Sequence, residues 1–93
     1  MQHYFSDVKG LGNVAVSRHA QTQLVRFGIS EAAFTRTLLE PTKPDIFEGS
    51  DIIWRERDGL RIVILANPVP FRGAKLVKTV YRIAEQAQAR PRR

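Results

Sequence analysis

The chain has 93 residues, of which 43% are hydrophobic and 26% are charged; it therefore fits one ordinary globular domain and excludes an enzyme built from two domains. It contains no cysteine, which excludes disulfides, thiolate catalysis and cysteine-based metal sites. The net charge is +6 and is unevenly divided, because residues 1–53 hold five basic and six acidic residues whereas residues 54–93 hold ten and three.

The first regular element is predicted to be a short helix. Residues 1–13 show no clear hydrophobic period, and we expect a loop or a short edge strand there. Over Arg18–Phe27, apolar side chains recur at the i, i+4 and i+7 spacing of one helical face. Ser17 is a typical N-cap, and Gly28 is a typical residue for ending a helix.

A second short helix is predicted directly after this glycine. Ser30 is its N-cap, and the carboxylate of Glu31 lies in the first turn, where the helix dipole favours negative charge. Pro41 and Pro44 end the helix near Glu40, because proline cannot continue a helix and favours an extended residue before it. Two short helices that meet at a glycine corner are the expected result.

Beyond the prolines the hydrophobic period becomes two, which is typical of strands. Asp45–Glu48 and Asp51–Arg57 predict a hairpin with Gly49-Ser50 as a two-residue type II′ turn. Asp58-Gly59 predicts a type I′ turn into Leu60–Ala66. The nearly continuous apolar run in that last segment indicates a central strand that is buried on both faces.

The remaining segments complete the predicted fold. Residues 67–73 hold two prolines and predict a loop, and the β-branched residues of Ala74–Ile83 predict the last strand. We therefore expect an α+β fold in which two N-terminal helices pack on a four-stranded antiparallel β-sheet. The single domain would span residues 1–93, with a core over residues 14–83 and a basic tail over residues 84–93.

Sequence patterns for metals, nucleotide cofactors and membrane spans are missing. His3 and His19 do not form a ligand pair, and Gly10-Leu11-Gly12 lacks the third glycine of a phosphate-binding loop. No apolar run approaches the roughly 18 residues that a membrane span requires. We expect a cytoplasmic protein with no metal, no cofactor and no membrane contact.

The basic second half of the chain favours an anionic partner, with nucleic acid as the leading interpretation. Arginine provides eleven of the fifteen basic residues, and its planar fork suits phosphate. Trp54, Phe71 and Tyr81 are candidates for stacking on bases. The alternatives are that Trp54 belongs to the core and that cations on strands only protect sheet edges. The predicted nucleic-acid-binding residues are Arg18, Arg55, Arg57, Arg72, Lys75, Lys78 and Arg82.

His19 is the residue with the most chemical potential, because imidazole accepts and donates protons near neutral pH. It lies in the first turn of the predicted helix, beside Ser17 and Arg18, where a helix N-terminus favours anions. The alternative is a purely structural turn in which His19 is solvated or bonded to a nearby carbonyl.

Four short segments resemble a small bacterial and phage domain family of unknown function. They are Ser17–Ala20 (SRHA), Arg26–Ser30 (RFGIS), Leu38–Pro41 (LLEP) and Val77–Tyr81 (VKTVY), and the likeness covers about Val14–Ile83. That family is similar to RelE-type toxins of toxin–antitoxin systems and to the barnase-like ribonuclease fold. In this chain Phe27 stands before the glycine, where the family usually has arginine.

The resemblance implies a RelE-like fold that binds RNA, more readily than DNA, on its sheet. It also implies a metal-independent endoribonuclease with His19, Arg61, Thr79 and Tyr81 as the catalytic set. A first alternative is a non-catalytic phage or mobile-element protein that binds and inhibits a host nucleic-acid-processing machine. A second alternative is a domain that acts with an antitoxin or host protein, or as a homodimer through an exposed strand edge.

Overall fold

The computed structural model of the protein describes residues 2–66 and 73–83. Two helices and six strands form in this part of the chain. Neither helix in the described ranges is long and apolar enough to cross a membrane. In chain order the elements are β1 (Tyr4–Val8), β2 (Gly12–Val16), α1 (Arg18–Arg26), α2 (Glu31–Leu39), β3 (Ile46–Glu48), β4 (Ile52–Arg57), β5 (Leu60–Leu65) and β6 (Lys75–Arg82).

The six strands form one mixed sheet in the order β1-β2-β6-β5-β4-β3. The predicted fold, two helices on a four-stranded antiparallel sheet, is therefore wrong: both helices form, but the sheet has six strands and is mixed. The difference comes from residues 1–13, which were expected to form a loop or edge strand, because β1 and β2 make an antiparallel hairpin there. β2 then pairs with β6 in parallel, with Val14 opposite Lys75 and Val16 opposite Val77.

The β1–β2 hairpin could not be recognised in the sequence, because its pairing is irregular. The register shifts between Phe5 and Val8, so the polar and apolar residues of β1 do not alternate cleanly. Asp7 lies in the left-handed region at φ 53°, which an aspartate tolerates better than most residues. A short strand with such a bulge lacks the period of two that predicts strands.

Both helices form where their caps predicted. The Ser17 side chain accepts a hydrogen bond from the amide of Ala20 at 3.0 Å, and Ser30 does the same for Ala33 at 3.0 Å. Gly28 lies at φ 64° directly after the C-cap of α1, in the conformation that favours glycine. The predicted glycine corner between two short helices is confirmed.

The turns of the β3–β4–β5 meander were predicted with mixed success. Asp58 and Gly59 have φ values of 49° and 80°, as a type I′ turn requires, and that prediction is confirmed. The predicted two-residue turn at Gly49-Ser50 is wrong, because Glu48 pairs with Ile52 and leaves a three-residue loop. β5 carries the predicted buried run, Ile62–Ile64, and β6 lies beside it.

The two sides of the sheet differ, because both helices pack on the same side. Each candidate residue can be assigned to one of these sides. On one side, here called the helix side, α1 packs on β6 and α2 packs on β4 and β5. The core lies between these layers and includes the fully buried Phe34 and Leu38 of α2. The other side, here called the far face, has no helix in the described residues. Alternation along the strands places there Ile52, Trp54 and Glu56 of β4, Arg61, Val63 and Leu65 of β5, and Leu76, Thr79 and Tyr81 of β6.

Replacing Phe34 by alanine should lower the free energy of unfolding by about 3–5 kcal/mol, because it empties the space of a fully buried ring that packs against Phe5. Urea unfolding followed by circular dichroism measures this change. Val25→Ala is the matched control, since Val25 is 84% exposed and should cost no more than about 0.5 kcal/mol. Equal losses for the two variants would contradict this placement of the core.

Candidate nucleic-acid interface

Three of the four predicted catalytic residues meet on the far face. Arg61 lies directly opposite Tyr81 in the sheet, and its Nη1 donates to the Tyr81 hydroxyl at 3.0 Å. Thr79 is on the same face of β6, opposite Val63. The Arg61 guanidinium also stacks over the Trp54 ring, with its Cζ 4.1 Å from the ring centroid. An arginine held between two aromatic rings is thus the centre of this face.

Glu56 neutralises the arginine at this centre. The Nε of Arg61 donates to Glu56 Oε2 at 2.6 Å, and the Glu56 side chain is almost fully buried. Burial lowers the pKa of the Arg61 guanidinium, but the hydrogen bonds to Tyr81 and Glu56 outweigh it and raise the pKa above its usual value. Arg61 is therefore a fixed, paired cation that has little free charge for a phosphate.

The fourth predicted catalytic residue, His19, lies on the other side of the sheet. It is exposed in the first turn of α1, and α1 packs on the face of β6 that carries Val77 and Val80. Thr79 and Tyr81 alternate with these residues and point the opposite way. The structure therefore does not bring His19 together with the far-face residues.

Arg55 was predicted to bind nucleic acid, but its side chain is buried and fully engaged. Its guanidinium makes a bidentate pair with the Asp45 carboxylate, at 2.9 and 2.8 Å. Its remaining bonds go to the carbonyls of Leu38, at 2.7 Å, and Lys9, at 2.9 Å. With only 4% of Arg55 exposed, it ties three segments of the chain together and is not accessible to a phosphate.

Three further predicted binding residues each use part of their side chain to hold the backbone. Arg57 Nη1 donates to the Glu40 carbonyl, and Arg82 Nη2 donates to the Gly28 carbonyl at 3.1 Å. Lys75 Nζ donates to the Leu11 carbonyl at 3.1 Å. Each of the two arginines has further N–H groups that make no hydrogen bond within the described residues, so these donors are available to a ligand.

Arg18 and Lys78 are exposed, and in the described ranges no carboxylate lies within ion-pair distance of either. The same holds for Arg26, which sequence reasoning missed although it follows Arg18 by two turns on the exposed side of α1. The predicted residues Arg72 and Phe71 lie outside the described residues. Unpaired cations therefore gather around α1.

The helix side also holds a cleft that three arginines share. It has a volume of about 250 Å³ and lies between α2 and the turn that joins β4 to β5. Arg36, the second residue that sequence reasoning missed, joins Arg57 and Arg82 there. The other lining residues are Ala32, Ala33, Thr37, Asp58 and Leu60.

Within the described residues, no group of three or more histidine, aspartate and glutamate side chains is placed to hold a metal ion. The cations described above offer binding chemistry of another kind. Phosphate, carboxylate and sulfate are the ligand groups that such cations recognise.

Replacing Arg55 by glutamine should lower the free energy of unfolding by about 3–5 kcal/mol, because it leaves Asp45 without its buried partner. Lys78→Gln removes the same charge from an exposed position and should change stability by no more than about 0.5 kcal/mol. Thermal and urea unfolding of both variants measure the difference. An Arg55 variant as stable as the Lys78 variant would refute a structural role for this arginine.

Comparison with protein-family models, with curated proteins and with solved structures found no match. The resemblance to the family related to RelE-type toxins therefore stays a prediction. The residues and their geometry carry the functional inference.

Proposed function

We propose that this chain is a non-catalytic module that binds single-stranded nucleic acid through the arginines of its helix side, and that it binds RNA in preference to DNA. The observation that carries the proposal is the distribution of unpaired charge. Arg18, Arg26 and Arg82 have no carboxylate partner in the described part of the chain, and all three lie on or beside α1. A polyanion is the partner that such a surface favours.

The spacing of these cations suits contacts with successive phosphates. Arg18 and Arg26 are eight residues apart in one helix, so their backbones are separated by about 12 Å along its axis. At roughly 3.4 Å per nucleotide along one strand of a duplex this distance covers about three to four phosphates, and a more extended single strand covers it with fewer. Two arginines on α1 can therefore contact different phosphates of the same strand.

The far face supports nucleic-acid binding less well. Its arginine, Arg61, is already paired with Glu56, and Lys43 also lies 3.9 Å from the same carboxylate. The aromatic rings of Trp54 and Tyr81 contact the Arg61 guanidinium, which competes with bases for their surfaces. The far face thus offers stacking surface but little unpaired positive charge.

The separation of His19 from Arg61 favours binding over cleavage. A general base must come within about 2.6–3.2 Å of the group that it deprotonates, and the groups that stabilise the phosphate must surround the same atom. His19 lies on the helix side, whereas Arg61 and Tyr81 lie on the far face. These residues do not form one catalytic site around a single phosphate.

The salt dependence of RNA binding tests this function. A short fluorescent single-stranded RNA is titrated with protein by anisotropy, with EDTA present, from about 50 to 200 mM salt. Arg18→Gln and Arg26→Gln should each weaken binding and reduce the slope of log affinity against log salt by about 0.7, the value for one single-strand phosphate contact. The RNA should remain uncut throughout.

Lys43→Gln is the matched control, because it removes one exposed positive charge that lies beside Glu56 of the far face. It should leave the salt slope unchanged. The proposal fails if binding does not depend on salt, or if Lys43→Gln reduces the slope as much as Arg18→Gln does. Cleavage of the RNA by wild-type protein that is lost in His19→Ala would contradict the non-catalytic role.

A further inference from the structure

The cleft shared by Arg36, Arg57 and Arg82 is a second feature of the helix side; Arg82 belongs to both, whereas Arg18 and Arg26 of α1 lie outside the cleft lining. Its walls come from one side of α2, from the turn between β4 and β5 and from the end of β6. Its volume of about 250 Å³ is below the roughly 300–1,000 Å³ of pockets that hold drug-sized ligands. A cleft of this size accommodates a small charged group such as a phosphate.

The arginines are held in place in a way that leaves donors available to a ligand. Arg57 is anchored by the Glu40 carbonyl through Nη1, and its Nε lies 3.5 Å from Asp58. Arg82 is anchored by the carbonyls of Phe27 and Gly28 through Nη2 alone. Within the described residues, Arg57 Nη2 and Arg82 Nη1 make no hydrogen bond. Anchored guanidinium groups with unused N–H donors are pre-organised for an oxyanion.

Arg36 completes the set from the helix. Its side chain is 64% exposed, and its only ion pair in the described part of the chain is a loose one of 4.0 Å with Glu40. It can therefore turn toward a ligand at little cost, since exposed pairs at this spacing contribute little. Ala32 and Ala33, in the first turn of α2, also line the cleft.

The charges that line the cleft match a doubly charged anion. Three arginines and one aspartate, Asp58, give the lining a net charge of +2. A phosphomonoester carries about −1.5 to −2 at neutral pH, and it presents three terminal oxygens to surrounding donors. An internal phosphodiester carries a single negative charge and has fewer oxygens to offer. The lining therefore favours a terminal phosphate over a phosphate within a strand.

We propose that this cleft binds the terminal phosphate of a nucleic-acid strand, so that the protein recognises phosphorylated ends. This inference rests on the proposed function and deepens it. The unpaired arginines of α1 hold the strand through its charge, and the cleft selects strands by the chemistry of their ends.

The test compares short RNAs of one sequence that carry a 5′-phosphate, a 3′-phosphate or hydroxyl groups at both ends. Wild-type protein should bind one of the phosphorylated RNAs about tenfold more tightly than the hydroxyl form, as expected for charge-assisted hydrogen bonds to the phosphate. The preferred form tells which end enters the cleft. Inorganic phosphate should reduce this preference by competing for the cleft.

Variants assign the preference to the cleft. Arg36→Gln should remove most of the preference, and Arg36→Gln combined with Arg57→Gln should abolish it. Circular dichroism checks that each variant is folded. Arg26→Gln is the matched control, because it should weaken binding of all three RNAs by the same factor and leave the preference intact.

Three results would overturn the inference while the proposed function stands. The first is salt-dependent binding that ignores the ends, and the second is a preference that survives the double variant at full size. The third is a loss of preference in Arg26→Gln as large as in Arg36→Gln. Failure of all three RNAs to bind would overturn both proposals together.

Discussion

The parallel pairing of β2 with β6 determines which side of the sheet is covered. β2 leads directly into α1, and Ser17 at this junction is fixed to β6 from both its backbone and its side chain. Its amide donates to the Val77 carbonyl at 3.1 Å, and its hydroxyl donates to the Lys78 carbonyl at 3.2 Å. The same hydroxyl caps α1. One residue therefore links the sheet to α1, and α2 follows after Gly28 and packs on β4 and β5 on the same side.

The arginines differ in whether a carboxylate pairs with them. Arg55 and Arg61 each have a carboxylate within 3 Å and stabilise the fold. Arg55 is buried and bonded to Leu38 of α2, whereas Arg61 lies on the far face. Arg18 and Arg26 have no such partner in the described residues and face solvent from α1. Net charge alone therefore does not locate a binding surface, whereas the pairing of each guanidinium does.

Local signals in the sequence predicted much of the local structure, with the turn at Gly49-Ser50 as an exception. The caps Ser17 and Ser30 and the Asp58-Gly59 turn depend on neighbouring residues, and all three form as expected. The six-stranded mixed sheet was not predictable in this way, because the β2–β6 pairing joins residues that are far apart in the chain. The bulge in β1 also removed the alternation that would have revealed the N-terminal hairpin.

In the candidate site, too, contacts between distant segments of the chain could not be predicted from the sequence. Arg61 approaches Tyr81 because β5 pairs with β6, the next strand along the chain. The burial of Arg55 depends on Lys9, Leu38 and Asp45, which come from three separate segments. Arg26 and Arg36 were not predicted, because both lie in the first half of the chain, where basic and acidic residues nearly balance; both are exposed, on α1 and α2.

Chemical-shift mapping by NMR is the most direct test of where nucleic acid binds. A short single-stranded RNA is titrated into ¹⁵N-labelled protein, and the amides of α1 and α2 are compared with the indole N–H of Trp54, the only tryptophan in the chain. Binding on the helix side predicts shifts at Arg18, Arg26 and Arg36 with the Trp54 indole unchanged. Shifts centred on Trp54 and Tyr81, with α1 unaffected, would contradict it.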